Sequence, residues 1–596
     1  MCLRPVNWDI GEVSRERVLL GAQTSGRAYR DLSERVYGVQ HTFDTTVPMR
    51  DGVRLRADIH RPRTTQAVPA LVAIAPYPRQ AQYLGLPAGM IEAGQTDFWV
   101  PRGYAHVIAN VRGTCGSEGI YGLGAEAEHH DVYDLIEWVA AQPWCDGEVG
   151  MIGVSYYAIE QLRAALQHPP HLRAIFPFSA GLDWYREIMR HGGMFSGRFM
   201  GLYFNALGMV SKRGGGFFRA PTFHALNRLL QQPRIHRRFG RPLTDQLKAF
   251  NRVLRLDYDP QPWDDLYQQV AIEHPFYDGY WRARDITDRL GEITIPVYIG
   301  GDWDNVAVHL GAVFVALERL PPQIPWRAVL APRGTLQWPW ESLHVEALAW
   351  YDQWLKGRDT GVLDGPPIRY FLHGAGADGR GEWRATDSWP LPGTTWTDVF
   401  WAADGALTVT PSADGGRDFL CLPPTLQRGR NANPLRLPEL LSWDTPPVAQ
   451  AVELCGPLAL TLHAASTAAD TDWIVKLADV GPDGNAQDLT QGWLRASHRA
   501  VDPSRSRPYR PYHPHDRPQA LEPGRPTEFA IALLPTAHVL GSGHRLRLLM
   551  TSRDDAHDGQ FAMGRLAHDS IGLPAHNTVF SHSVLHVPTR RGHLPS

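Results

Sequence analysis

The residue of this sequence that is best placed to act as a nucleophile is Ser155. It follows Gly153 and Val154, between an apolar stretch at 149–152 and a helical pattern. A serine on the sharp turn between a strand and a helix presents its hydroxyl at the edge of a sheet, and small flanking residues allow strand and helix to approach closely. The downstream small residue of that motif is replaced by Tyr157. Two interpretations therefore stay open, a nucleophilic serine and an ordinary N-cap of the following helix.

The segments around Ser155 predict a parallel α/β sheet. The apolar runs 68–75 and 105–110 are typical of buried strands. Apolar residues at helical spacing predict a helix over 127–141, and the pattern continues with a strand at 149–152 and a helix over 159–167. Strands that alternate with helices in this way favour a sheet whose helices cover both faces.

The composition and the spacing of apolar residues change several times along the chain, which predicts several domains. A hairpin with a tight corner at Asp51 and Gly52 opens the sheet, and strands at 293–299 and 327–330 with a helix at 345–355 close it. The segment between the two parts is rich in Arg, Phe, Tyr and Leu, which indicates a mostly helical cap over the carboxyl edge of the sheet. Short alternating segments between Pro, Gly and Asp turns indicate an all-β sandwich towards the C-terminus. The predicted organisation is an N-terminal extension that reaches across to another domain or subunit (1–40), a first core part (41–180), a helical cap (181–289), a second core part (290–365) and an all-β domain (366–596).

Composition narrows the class of function. The formal net charge is −3 and the sequence has no long run of Lys or Arg, so a nucleic-acid partner is not expected. The five cysteines are scattered without a metal-binding or disulfide spacing, which favours a reducing compartment. The first 20 residues are charged and no apolar stretch is long enough to span a bilayer. We therefore expect a cytoplasmic protein without a membrane partner.

No motif predicts a cofactor or a metal. The sequence has no phosphate loop, and no Gly-x-Gly-x-x-Gly follows a predicted strand. His129 and His130 precede Asp131 at the start of a predicted helix, and His513 and His515 lie in a predicted loop of the all-β domain. Both groups lack a partner motif and are expected to be solvated.

Many separated segments of the chain resemble one family. The matching segments are 50–55, 61–62, 110–119, 136–138, 142–147, 149–156, 351–357, 470–472, 476–477, 479–480, 482–484 and 543–547. Their residues and order resemble the CocE/NonD group of α/β-hydrolases, which includes cocaine esterase, X-prolyl dipeptidyl peptidase and the α-amino acid ester hydrolases. The resemblance implies an α/β-hydrolase core with a C-terminal jelly roll. In the family's elbow, Gly-x-Ser-Tyr-x-Gly, Tyr156 matches and Ala158 replaces the later glycine.

The resemblance also implies the groups that would stabilise an oxyanion. A tyrosine in a loop at a strand end supplies one donor in this family, and Tyr77 matches it. The second donor would be the backbone N–H of Tyr156. A packed aromatic residue with a solvated hydroxyl is the alternative role for Tyr77.

The acid and the base of a catalytic triad are expected to follow the serine in the order acid, then histidine. The segment 300–304 resembles the family's acid segment, with Asp304 the better match and Asp302 the fallback; either could instead cap a helix. The family's histidine position is occupied by Thr335, which cannot act as a base near neutral pH. Of the nearby histidines His309, His344 and His373, the position of His344 between the last strand and the closing helix makes it the predicted base. Its alternative role is a polar residue in the first turn of that helix.

These residues predict hydrolysis of a small-molecule ester or amide, acyl or peptide-like, through an acyl-enzyme at Ser155. The replaced histidine leaves a second hypothesis, a non-hydrolytic member that is either a biosynthetic lyase or acyltransferase or a ligand-binding protein. Aromatic residues of the cap, such as Trp184 and Tyr203, favour an apolar or aromatic acyl group, although such residues also form cores. The chain could form a homo-oligomer, and the sequence does not identify the substrate.

Overall fold

The structure is a computed structural model that describes residues 23–82, 92–212, 262–303, 308–333, 335, 343–376, 379–422, 437–554, 568–569, 571 and 573–595. Within these residues a parallel sheet lies at the centre of the N-terminal half. Its strand order is β1-β2-β4-β3-β5-β6-β9-β10, in which β1 and β2 are antiparallel to their neighbours and the remaining pairs are parallel. These strands are β1 Val39–Pro48, β2 Arg54–Pro62, β3 Val68–Ala75, β4 Ala105–Asn110, β5 Cys145–Val154, β6 Leu172–Phe178, β9 Val297–Asp302 and β10 Trp326–Ala331.

Helices connect the parallel strands and cover the sheet. The described α-helices are α1 Arg79–Gln82, α2 Thr96–Trp99, α3 Glu126–Ala140, α4 Tyr156–Leu166, α5 Gly197–Lys212, α6 Trp263–Gln268, α7 Gly279–Arg282, α8 Leu310–Arg319 and α9 His344–Leu355. Shorter helical turns of the 3₁₀ or π type span Val100–Arg102, Trp184–Met189, Gln269–Glu273, Thr287–Glu292 and Ala496–His498. No helix of the described residues is long and apolar enough to cross a membrane.

The apolar runs of the sequence became the innermost strands. Every residue of β3 and of β4 is buried. A strand that is covered by helices on both faces needs apolar side chains on both, so a continuous apolar run rather than an alternating one marks it. The predicted bounds of both strands are confirmed. The hairpin before them is also confirmed, since Gly52 takes a left-handed φ of 87° in the turn between β1 and β2.

Strand β5 extends further than the sequence predicts. The apolar residues 149–152 are its buried centre, and the strand runs from Cys145 to Val154. Helix α4 then begins directly at Tyr156, three residues before its predicted start. The extra residues are set by pairing with β6, whose Phe178 lies opposite Val154. The consequence is that Ser155 is the single residue between strand and helix.

The residues before β1 pack on helix α9 of the same chain. The backbone N–H and hydroxyl of Ser25 donate to the carboxylate of Glu346 at 2.7 and 2.8 Å. The backbone N–H and hydroxyl of Ser33 donate to Asp352, both at 2.6 Å. Because these bonds are buried, the segment before β1 and helix α9 hold each other in place.

The segment that the sequence predicts to form a cap is described in two parts. The first contains the π-helical turn Trp184–Met189, a two-residue hairpin of β7 Arg190–His191 with β8 Met194–Phe195, and helix α5. The second contains helices α6 and α7.

The C-terminal half of the described residues consists mainly of antiparallel strands. Strand β11 pairs in parallel with β10 and thereby joins the two halves. A second, four-stranded sheet has the order β16-β21-β18-β19. The strands are β11 Ile368–His373, β12 Gly381–Thr386, β13 Thr395–Trp401, β14 Leu407–Thr408, β15 Gly416–Cys421, β16 Leu440–Asp444, β17 Val452–Ser466, β18 Asp472–Val480, β19 Ala486–Arg495, β20 Thr527–Leu540, β21 Arg545–Thr551, β22 Ala575–Phe580 and β23 Val584–Arg591.

Two histidine-containing segments that the sequence predicts to be solvated are instead largely buried. His129 retains 9% of its surface, and Asp131 accepts a hydrogen bond from Nε of Arg112 at 2.7 Å. The two ring nitrogens of His513 lie 2.9 Å from the carbonyl oxygens of Ala500 and Ala530. The residues next to these histidines in the sequence are typical of exposed turns. The side chains are covered by other segments of the chain, which the local sequence does not reveal.

Candidate active site

Ser155 has a strained backbone at the tip of β5. Its φ of 59° and ψ of −119° lie in a region that non-glycine residues rarely adopt. Its side chain is only partly buried, and it forms no hydrogen bond with another described residue. A strained backbone that holds a reachable hydroxyl at the carboxyl edge of a parallel sheet is typical of a nucleophile.

The sequence before and after Ser155 explains how the chain can make this turn. A Cβ atom at Gly153 would lie 2.2 Å from Cβ of Tyr157, and the φ of Gly153 is 136°. Only glycine tolerates both conditions. Tyr157 is fully buried, so it fills the space that a small residue leaves open in the usual motif.

The backbone on both sides of Ser155 is fixed by neighbouring strands and by the helix. The N–H of Ser155 donates to the carbonyl oxygen of Phe178 at 3.1 Å, and its carbonyl oxygen accepts from Ala158 and Ile159 at 2.9 and 3.0 Å. Tyr156 is the first residue of α4, so its N–H has no acceptor within the helix. This N–H and the positive end of the helix dipole face the space beside Ser155.

Tyr77 contacts the residue that follows Ser155, and hydrogen bonds from Asn110 hold the loop that carries Tyr77. The rings of Tyr77 and Tyr156 pack edge to face with centroids 6.3 Å apart. The side-chain amide of Asn110 donates to the carbonyl oxygens of Ala75 and Tyr77 at 3.1 and 2.5 Å. The buried guanidinium of Arg79 in turn donates to Oδ1 of Asn110 at 3.0 Å. The loop that carries Tyr77 is therefore held at a fixed distance from the end of β5.

Both tyrosine hydroxyls are protonated at neutral pH. Burial raises the pKa of Tyr77 well above its ordinary value, and burial together with the charge of Glu128 does the same for the pKa of Tyr156. The Tyr156 hydroxyl donates to Oε2 of Glu128 at 2.9 Å. The side chain of Tyr156 is thus anchored away from Ser155 while its backbone N–H stays available.

Of the two predicted acids, Asp302 is among the described residues. Asp304 lies outside the described residues. Asp302 is the last residue of β9, opposite Ala331 of β10, and is fully buried. Asp302 therefore lies at the carboxyl edge of the sheet, the same edge as Ser155.

Thr335, which the sequence pattern aligns with the family's histidine, forms local hydrogen bonds. Its hydroxyl donates to the carbonyl oxygen of Pro332 at 2.7 Å, and its backbone N–H donates to the same oxygen at 3.2 Å. Its side chain is 4% exposed. The threonine therefore closes its own turn instead of facing a substrate.

His344 begins helix α9 inside the core. It is fully buried, and its ring stacks on that of Phe98 with centroids 4.2 Å apart and an angle of 17°. Trp99 approaches the same ring edge-on at 6.2 Å. No hydrogen bond joins His344 to Ser155 or Tyr77 among the described residues. Among the described residues, the ring of Tyr77 contacts that of Tyr156, the residue after Ser155, and the ring contacts of His344 are with Phe98 and Trp99.

His309 is a second histidine at the same edge of the sheet, which the sequence named only as a neighbour of the acid. It precedes helix α8, and its Nδ1 lies 3.1 Å from the carbonyl oxygen of Ala180. Since a carbonyl accepts only, Nδ1 carries the hydrogen and Nε2 is the basic nitrogen of the neutral ring. Burial lowers the pKa of His309 to about 4, so the ring is neutral at pH 7.

Ser155 and His309 flank the same piece of chain. Ser155 donates to Phe178, and His309 contacts Ala180 two residues further on. Between them Ser179 has a φ of 53°, which bends the chain at the end of β6. The signal that could have indicated His309 is its place a few residues after the predicted acid, but only the pairing of β6 with β9 relates it to Ser155.

A buried carboxyl also adjoins the site. The carbonyl oxygen of Glu92 accepts the N–H of Val154 at 3.0 Å, which places Glu92 beside the end of β5. Burial raises the pKa of its side chain well above the ordinary value. No motif identifies this residue in the sequence.

Comparisons with known proteins match two successive parts of the chain. Residues 51–334 match the model of the X-Pro dipeptidyl-peptidase (S15 family), and residues 360–564 match that of the X-Pro dipeptidyl-peptidase C-terminal non-catalytic domain. The chain is 30% identical over 550 residues to cocaine esterase from Rhodococcus sp. (strain MB1 Bresler), covering 85% of this chain and 89% of the relative.

Two solved structures have a similar fold. A CocE/NonD family hydrolase from Staphylococcus aureus is 21% identical with a TM-score of 0.73, covering 96% of this chain and 100% of the other. An α-amino acid ester hydrolase is 19% identical with a TM-score of 0.66 and the same coverage. At these identities the structural likeness concerns the fold, which is that of an α/β-hydrolase.

Proposed function

The chain belongs to the CocE/NonD family of serine hydrolases, and we propose that it cleaves a small-molecule ester or amide through an acyl-enzyme at Ser155. The observation that carries this proposal is the strained backbone of Ser155, which holds a reachable hydroxyl at the carboxyl edge of the sheet. Related proteins are named esterases and dipeptidyl-peptidases. Acyl esters and aminoacyl or peptide-like amides are therefore the proposed substrate classes.

The proposed reaction has two steps. Oγ of Ser155 attacks the substrate carbonyl carbon while a base takes its proton, and the carbonyl oxygen becomes an oxyanion. The hydroxyl of Tyr77 and the N–H of Tyr156 donate hydrogen bonds to that oxyanion. The bond to the alcohol or amine breaks as the leaving group takes the proton, and water then hydrolyses the acyl-enzyme by the same route.

The base is proposed to be an imidazole. The sequence points to His344, oriented by Asp304. The contacts described above favour His309 instead, because its Nδ1–H is held by a carbonyl and its neutral ring flanks the same strand end as Ser155. The stacking of His344 on Phe98 supports a packing role for that ring.

A second function is favoured by one observation. Thr335 occupies the position of the family's histidine and uses its hydroxyl in its own turn. If no imidazole reaches Ser155, the site would bind an acyl or peptide-like ligand without hydrolysing it, or support elimination or acyl transfer. Ser155, Tyr77 and Tyr156 would then serve as hydrogen-bonding groups.

The finer architecture is part of the proposal. We infer a jelly roll from the two antiparallel sheets of the C-terminal half, and a helical cap from helices α5 to α7. The described cysteines, Cys115, Cys145, Cys421 and Cys455, are buried and form no disulfide bond with one another, which supports a reducing compartment.

A fluorophosphonate probe tests the proposed function directly. It should label the wild-type protein covalently and leave Ser155→Ala unlabelled, because the probe needs an activated serine. Hydrolysis of a p-nitrophenyl acyl ester should be lost in the same variant. The proposal of hydrolysis at Ser155 would be overturned if the wild-type protein bound such esters reversibly but was neither labelled nor active. That result would favour the second function.

A further inference from the structure

A cleft of about 440 Å³ lies at the first turn of helix α3, and neither Ser155 nor Tyr77 lines it. His129, His130, Arg284 and Arg289 line it, together with Gly124 and Glu126. No sequence motif assigns a function to these residues, and the proposed hydrolysis does not use them.

Among the described residues, no carboxylate forms a hydrogen bond or ion pair with the guanidinium of Arg284. Its guanidinium donates to the carbonyl oxygens of Leu123, Tyr280 and Gly122 at 3.2, 2.9 and 3.1 Å. It also lies 3.6 Å from the ring centroid of Tyr280. All of these described partners are neutral, so they fix the guanidinium in the wall of the cleft and leave its charge in place.

A second guanidinium lies directly beneath the cleft. A Cβ atom at Gly124 would be 2.2 Å from Nη2 of Arg163, so only glycine fits over this side chain. Arg163 is 1% exposed and pairs through Nη1 with Glu160 at 2.8 Å. Its Nη2 and Nε have no hydrogen-bond partner among the described residues. Such buried unpaired donors are costly unless a ligand completes them.

His129 gives an independent indication of a missing ligand. It lines the cleft, is more than nine-tenths buried, and its Nε2 has no partner in the described part of the chain. Burial, and next the charge of Arg163, lower its pKa to about 3. Arg289, His130 and Arg284 act in the same direction, so the potential around this ring is positive.

Helix α3 adds backbone donors. It spans 15 residues, and its N-cap residue Ala125 provides no side-chain cap. The N–H of Glu128 donates to the carbonyl oxygen of Ala125 at 2.9 Å. The N–H groups of Glu126 and Ala127 and the positive end of the helix dipole lie at the end of the helix that lines the cleft, an arrangement that suits phosphate groups.

The acidic groups nearby are few and mostly engaged. Glu292 pairs with Arg289 at 2.8 Å, and Glu128 is held by the N–H groups of Gly122 and Gly124. Glu126 is exposed in the first turn of α3 and is the one carboxylate among the residues that line the cleft.

We propose that this cleft binds the phosphate group of a phosphate-bearing small molecule, through His129, His130, Arg289 and the N-terminus of α3, with Arg163 and Arg284 supplying positive charge. The cleft is larger than inorganic phosphate, so the group is part of a larger ligand. The site is separate from Ser155, and the inference does not depend on the proposed hydrolysis.

Titration with sodium phosphate, followed by calorimetry at low ionic strength, tests the site, with sodium chloride at equal ionic strength as the blank. We expect saturable binding by the wild-type protein. Arg289→Gln and His130→Gln should each weaken binding about tenfold, because each removes a charge-assisted hydrogen bond. Arg282→Gln, an exposed arginine on the neighbouring helix that does not line the cleft, is the matched control and should bind like wild type.

Two further readouts locate the site. Phosphate should raise the pKa of His129, measured by NMR, because an anion would offset the positive charges around the ring. Ser155→Ala should bind phosphate as tightly as wild type. Absence of saturable binding, unchanged affinity in Arg289→Gln and His130→Gln, or loss of binding in Ser155→Ala would overturn the proposal.

Discussion

The ring of Tyr77 packs edge to face on that of Tyr156, with centroids 6.3 Å apart, although 79 positions separate the two residues in the chain. The contact brings the loop of Tyr77 to the first turn of helix α4, which follows Ser155. The proposed oxyanion site uses the hydroxyl of Tyr77 and the N–H of Tyr156 as its two donors.

Tyr77→Phe should lower kcat by about 10² to 10³ and leave KM within a few-fold, because the hydroxyl stabilises charge that develops only in the transition state. Steady-state kinetics with a p-nitrophenyl ester measure both. Tyr104→Phe is the matched control, since it removes a buried hydroxyl that donates to Asp352 at 2.6 Å away from the site. It should reduce stability and leave kcat unchanged. Equal kcat losses in both variants would refute the oxyanion role of Tyr77.

Ser155→Gly should be more stable than Ser155→Ala by about 1 kcal/mol in free energy of unfolding, because glycine alone adopts the observed φ of 59° without strain. Urea unfolding of the two inactive variants gives this difference. The same pair of substitutions at Ser196, a buried serine outside the left-handed region, should show the opposite order. If Ser155→Ala were more stable than Ser155→Gly, the inference that the backbone is strained at position 155 would be refuted.

His309→Gln should lower kcat by at least about 10³, whereas His344→Phe should retain kcat within a few-fold, since a phenyl ring keeps the stacking on Phe98. Fluorophosphonate labelling rates should follow the same order. The reverse result would establish His344 as the base and support the assignment made from the sequence.

The pH profile should have an acid limb near pH 4. His309 acts as a base only when neutral, and burial lowers its pKa to about 4. Activity, measured as kcat/KM, should therefore be lost as the pH falls through about 4 and be constant from about pH 5 to 7. An acid limb near pH 6.5, the ordinary pKa of histidine, would argue for a more exposed imidazole.

Thr335→His should change the rate of hydrolysis by no more than a few-fold, because the base is supplied by another imidazole and the hydroxyl of Thr335 only closes its own turn. Steady-state rates measure this, with Thr335→Asn as the control for loss of the turn. A gain of 10² or more in Thr335→His alone would mean that the natural protein lacks a base, in favour of the non-hydrolytic function.

The sequence by itself determined the central strands and the candidate nucleophile. The runs at 68–75 and 105–110 are apolar throughout, and such strands can form only where helices cover both faces, so their bounds were predictable. Ser155 was predictable for a similar reason, because the strand, the turn and the helix that position it are contiguous in the chain.

Tertiary structure decided what depends on distant segments. The burial of His344 against Phe98, the place of His309 beside Ala180, and the contact of Tyr77 with Tyr156 each join parts of the chain that no local pattern relates. Strand order brings these residues together, and it is fixed by the packing of the whole sheet. For that reason the sequence could name a nucleophile, while the identity of its base became a structural question.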